Sequence, residues 1–159
     1  LVEHAYLRDR EVDLLMEAAR QHRWGHRDAT AILVAYQHGL RASELVALRW
    51  CDIDLTTGRL RIRRSKGSGG ASAHPISAQE SLALRRLRDE TLPSTFVFAS
   101  EHGAPFRVTG YERMIARAGA EAGFGFVVRS RMLRRELDLP AKPQDRTVIP
   151  ALGLGEMDA

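Results

Sequence analysis

The stretch GLRASELVALRW, residues 39–50, decides how this chain is read. A Gly-Leu break is followed at once by Arg41, and then by a short segment that buries Leu45 and Leu48 at helical spacing. An arginine at the mouth of an apolar helix has two explanations. It is a bidentate clamp for an anion, added to backbone amides that already favour negative charge at a helix start. Or it is tied structurally to Glu44 or Asp52. Ser43 and Glu44 are placed to cap the helix or to orient the guanidinium.

Working outward on the N-terminal side, residues 27–38 place Ala29, Ile32, Leu33 and Tyr36 on one helical face, and Gly39 is a natural stop. Before a loop through Trp24, Gly25 and His26, residues 8–20 set Val12, Leu15, Met16 and Ala19 at helical spacing. Asp9 and Glu11 stand in the opening turn of that helix. On the C-terminal side the period changes. Arg59, Leu60, Arg61, Ile62 and Arg63 alternate basic and apolar, which predicts a strand with one buried face. A flexible turn of residues 67–70 leads to a returning strand, 71–76. Ser77 and Glu80 form a capping box for a helix carrying Leu84 and Leu87. Residues 96–98 read as a short apolar strand. A helix over 109–122 follows, with Met114, Ile115 and Ala118 on one side. Residues 129–137 also look helical, but Pro140, Pro143 and Pro150 interrupt the remainder.

The totals describe one domain. The chain has 159 residues, 44% hydrophobic and 28% charged, enough to close a core without disulfides or metal. No apolar run approaches the about 20 residues that span a bilayer, and no leader pattern is read at the start, so the expectation is a cytoplasmic protein. A lone Cys51 allows neither an internal disulfide nor a cysteine zinc site. The six histidines lack the spacing of a metal-binding helix, and His22 and His26 are read as surface residues. The formal charge of +4 leans toward a polyanionic partner. Of 24 basic residues all but Lys66 and Lys142 are arginine, a usage that coding bias largely explains. That makes a lysine at the hairpin tip conspicuous.

The stretch HGLRASELVALRWCDIDL, residues 38–55, resembles the first arginine motif of the tyrosine recombinases, the phage-integrase family. The similarity runs on in order through SAHPISAQESLALRRL (72–87), FVFASEHGAPF (96–106) and MLR (132–134), covering roughly residues 8–134. The compact spacing most resembles the short fimbrial phase-variation recombinases. The resemblance implies a mainly α fold with a small antiparallel β-sheet, in which 1–134 form the catalytic-domain-like core and 135–159 a divergent tail of the same domain. It also implies double-stranded DNA as partner, with homologous recombinase subunits assembled on it. In this family a tyrosine attacks the scissile phosphate to give a 3′-phosphotyrosyl link, later reversed by a 5′-hydroxyl. No metal, nucleotide or other cofactor takes part. Cations neutralise the transition state, and a general acid protonates the leaving oxygen.

By that resemblance Arg41 and Arg134 are the two arginines that clamp the phosphate, and Lys66 is the hairpin general acid, a role suited to a group whose pKa can shift. Read without the family, Lys66 is a solvated charge on a turn. Arg59, Arg61 and Arg63 share the strand's outer face, either holding the DNA backbone or simply solvated. The pattern departs from the family in three places. Arg131 stands where a histidine is usual, and arginine cannot shuttle a proton at neutral pH. Leu154 stands where a phosphate-donating histidine or tryptophan is usual. Tyr6, Tyr36 and Tyr111 all precede Arg134, and none matches the nucleophile. Tyr36 and Tyr111 lie on apolar helix faces and read as core. The expectation is a DNA-binding catalytic-domain portion that does not cleave by itself. The alternatives are a non-catalytic module that regulates recombination, or a truncated remnant.

Overall fold

The computed structural model describes residues 6–63 and 71–134. Among them are five helices, α1 (Asp9–Ala19), α2 (Gly25–His38), α3 (Ala42–Val46), α4 (Ala78–Glu90) and α5 (Val108–Ala122), and a three-stranded sheet of β1 (Ile53–Asp54), β2 (Arg59–Arg63) and β3 (Ala71–Pro75). The strands lie in the order β1-β2-β3 and all pairs are antiparallel. This is the mainly α fold with a small antiparallel sheet that the sequence implies.

α2 is the axis of the molecule. Ala29, Ala31, Ile32, Leu33, Val34 and Ala35 are all buried, so this helix is covered on every side rather than along one stripe. α1 and α4 pack on it, α5 packs on α1, and α3 contacts both α2 and α5. It begins two residues earlier than its periodicity predicts, because Gly25 is itself helical. A Cβ at that position would lie 2.3 Å from the Arg20 carbonyl oxygen, so the tight connection from α1 demands glycine. It ends where expected: Gly39 takes φ 64°, the left-handed conformation that glycine adopts without a Cβ penalty. α1 and α5 bury the residues their spacing picked out, with Tyr111 and Gly119 joining the buried face of α5.

Three expectations about later elements are corrected as well. α3 stops at Val46, short of the Leu48 that helical spacing includes, and Trp50–Asp52 form a separate 3-10 turn. The break follows from Asp52, whose carboxylate accepts the Arg49 amide at 3.1 Å and draws Arg49 into an extended conformation. Residues 96–98 make no strand, only isolated bridges from Phe96 to Arg49 and from Ala99 to Pro105. Pro105 has no N–H with which to extend a ladder. Of the helix read over 129–137, the described part is a 3-10 turn, Ser130–Leu133. Its start is bolted to α5 by Glu112, which accepts the Ser130 amide at 3.0 Å and the Ser130 hydroxyl at 2.5 Å. The tail 135–159, including Leu154, lies outside the described residues.

His26 also differs from its surface reading. Its half-buried ring donates from Nε2 to the Ala83 carbonyl at 2.9 Å, joining α2 to α4. His22 is likewise only partly exposed, its side chain 34% open with Nε2 2.6 Å from Glu121. Among the described residues no helix is long and apolar enough to cross a membrane.

Candidate phosphate-binding site

The site is built around the turn between α2 and α3. Gly39 reverses the chain, Leu40 is buried beneath it, and Arg41 opens α3 with a side chain 44% exposed. The amide of Arg41, which the sequence offered to an anion, is already taken: Glu44 Oε1 accepts it at 2.9 Å. The Glu44 amide likewise donates to the Arg41 carbonyl. Anion binding at this turn therefore falls to the side chain of Arg41 rather than to the helix start. Glu44 Oε2 lies 3.6 Å from Arg41 Nη1 with its carboxylate 2% exposed. Both readings of Arg41 thus find physical support, because a loose pair with Glu44 holds a guanidinium that still faces solvent.

Arg134 reaches this turn from the far end of the described chain. Its Nε–H donates to the Gly39 carbonyl at 3.1 Å, across 95 positions of sequence. Two neighbouring contacts steady the segment that carries it: Leu133 is fully buried, and the Leu7 amide donates to the Met132 carbonyl at 2.7 Å. Arg131 sits on the 3-10 turn just before Arg134 and faces solvent. The structure therefore brings Arg134 to within two residues of Arg41 along the chain, and presents Arg131 from the adjoining turn.

The basic strand borders the same place. Arg59, Arg61 and Arg63 share the exposed face of β2, while Leu60 and Ile62 point into the core. Arg63 Nη2 lies 2.8 Å from Asp52 Oδ1 and Arg61 Nε lies 3.6 Å from it, with the Asp52 carboxylate 2% exposed. Asp52 thus restrains two of the three outer arginines, a partnership sequence spacing did not reveal. A small cavity of about 30 Å³ separates the two groups, lined by Leu40, Glu44, Ala47, Asp52, Ile62 and Arg63 among others. Since Glu44 and Arg63 line one cavity, the arginine turn and the basic strand are immediate neighbours. Lys66 lies outside the described residues, between the end of β2 and the start of β3.

The tyrosines behave as core or surface residues. Tyr111 is fully buried, and burial pushes its phenol far above the ordinary value of 10.0. Tyr36 is buried and donates its hydroxyl to Asp9. Tyr6 is 45% exposed. Among the described residues no group of three or more His, Cys, Asp or Glu is arranged to hold a metal ion.

The family model described as "Phage integrase family" matches residues 5–138. The chain is 36% identical over 135 residues to the type 1 fimbriae regulatory protein FimE of Escherichia coli (strain K12), covering 81% of this chain and 68% of FimE. The crystal structure of XerA recombinase superposes with a TM-score of 0.66 at 28% identity, over 81% of this chain and 47% of XerA. A lambda integrase dimer bound to a COC′ core site superposes with a TM-score of 0.69 at 22% identity, over 84% of this chain and 50% of that one. The chain thus spans about half the length of these solved recombinases.

Proposed function

Since the chain belongs to the phage integrase family and has the fold of a tyrosine recombinase catalytic domain, we propose that it grips duplex DNA through one phosphodiester held between Arg41 and Arg134. Two forked guanidinium groups suit the two non-bridging oxygens of a phosphate. The observation that carries this reading is the bond from Arg134 Nε to the Gly39 carbonyl. Nothing in local folding requires residue 134 to meet residue 39, and the contact lands beside the other arginine. Arg59, Arg61 and Arg63 contribute sequence-independent contacts along the backbone, and Lys66 supplies the ammonium that protonates the leaving 5′-oxygen when a tyrosine from elsewhere attacks the phosphate. Arg131 adds positive charge but stays protonated, so it transfers no proton. Partners are duplex DNA and further recombinase subunits assembled on it.

By itself the 159-residue chain binds without cutting. Two of its tyrosines are in the core, where a phenol does not reach a phosphate, and burial also opposes ionisation of Tyr111. The exposed Tyr6 matches no nucleophile motif. Within these residues the expected activity is therefore binding, and strand cleavage requires a tyrosine outside them. Incubation with a nicked duplex that traps covalent intermediates tests it. Salt-sensitive binding with no protein–DNA adduct is expected. An adduct formed by the purified chain would overturn the claim that it does not cut.

A further inference from the structure

A polar chain, buried at His38 and Glu80 and open to solvent at Ser72, runs from the arginine turn to the sheet, and the phosphate reading leaves it unused. His38 is the last residue of α2, and its side chain is 4% exposed. Its Nε2–H donates to Glu80 Oε2 at 2.6 Å, on a carboxylate 2% exposed. The other oxygen of Glu80 accepts the Ser77 amide at 2.9 Å, and the Ser77 hydroxyl accepts the Glu80 amide at 3.1 Å. One carboxylate therefore closes the start of α4 and clasps the end of α2. On its other side the His38 ring meets His74 edge-on, with centroids 5.5 Å apart, and His74 Nε2 lies 3.0 Å from Ser72 Oγ. Ser72 and His74 belong to β3, opposite Ile62 and Leu60 of β2.

Polar groups this deeply buried cost stability unless they are paired, and apolar side chains would pack α2 against α4 as well. Their location suggests a use for them. His38 is bonded to Gly39, whose carbonyl holds Arg134, and Arg41 follows two residues later. His74 lies on β3, the strand that follows the stretch of sequence containing Lys66. The His38 imidazole thus belongs to the helix that leads into the arginine turn and touches both α4, through Glu80, and β3, through His74.

We propose that His38 and Glu80 are positioning residues for the phosphate site: their hydrogen bond, with His74 packed against it, sets the arginine turn at a fixed offset from the β2–β3 hairpin. The proposal rests on the duplex-binding reading. Neither residue touches DNA; each acts through the turn it holds.

The test uses the full chain with His38→Leu, which keeps bulk but loses the donor, and His38→Gln, which keeps an N–H at similar reach. Duplex binding is measured at a temperature where circular dichroism shows each variant folded. Amide hydrogen exchange over residues 39–45 and 71–76 is measured without DNA. His38→Leu is expected to weaken binding at least about tenfold, with His38→Gln within about twofold of the parent. Exchange should quicken in both segments of the leucine variant. Parental affinity in His38→Leu, while Arg41→Ala loses binding, would overturn the positioning role and leave the duplex reading intact. If the parent chain binds no duplex, the duplex reading fails and exchange alone decides. Faster exchange in both segments upholds the coupling; a change confined to one refutes it. Should His38→Leu not fold, Glu80→Gln, which weakens the clasp without removing its bulk, is read by the same criteria.

Discussion

Asp28 shows how a single carboxylate can be surrounded by cations and still be costly to ionise. It lies 2% exposed in α2, 2.9 Å from Arg27 Nη2 and 3.8 Å from Arg117. Arg27 is itself packed over Phe106 at 4.2 Å and Trp24 at 5.2 Å, and donates to the Ala99 carbonyl. Burial outweighs both arginines and pushes the Asp28 carboxyl above its ordinary 3.8. A carboxyl raised on folding contributes stability that is complete below its unfolded pKa and is lost as pH rises through the folded one. Asn mimics the protonated form at every pH. The stability advantage of the parent over Asp28→Asn should therefore be greatest near about pH 3.5 and shrink as pH climbs above about 4. Thermal melts of both proteins across that range check it, and an advantage that grows with pH would contradict it.

At the scale of elements, the packing of α5 against the chain that follows it is unusually close. A Cβ on Gly119 would lie 2.4 Å from Val128 Cγ2 and 2.9 Å from its Cβ, and Val128 is buried. Gly119→Ala should therefore lower stability by about 1–3 kcal/mol. The same substitution should cost less in a Val128→Ala background, where the nearer atom is gone, as urea unfolding of the four variants would show. Elements of this kind also mark how far the sequence could be read. The 3.6-residue period located α1, α2, α4 and α5, because each buries side chains that recur at that spacing. The Ser77–Glu80 cap was legible because it is local in sequence. The clasp from Glu80 to His38 was not, because it joins positions 42 apart and no spacing rule reaches across them. The early end of α3 was hidden for a related reason, since Asp52 is recruited by an arginine amide and two strand arginines at once. Arg41 was found by motif, but the contact that brings Arg134 to its turn runs through the Gly39 backbone carbonyl, which leaves no residue-type signature.

For the whole molecule the charge is less informative than its arrangement. A net +4 over 159 residues is modest. Yet three arginines line one face of β2 beside the Arg41 turn, two of them steadied by a buried Asp52. If that face follows the DNA backbone, Arg59→Ala, Arg61→Ala and Arg63→Ala should each weaken binding to unrelated duplexes alike. Each should also reduce the salt slope by about one. Slopes unchanged in all three would mean the strand serves only to pair with Asp52 and meet solvent.

The convergence of Arg41 and Arg134 on one phosphodiester is tested most directly by a double-mutant cycle in duplex binding, using Arg41→Ala, Arg134→Ala and both together at fixed salt. If the two groups hold the same phosphate, each single change weakens binding and the double change costs clearly less than the sum of the two. Losses that simply add, or single variants that bind as the parent does, would contradict the shared site.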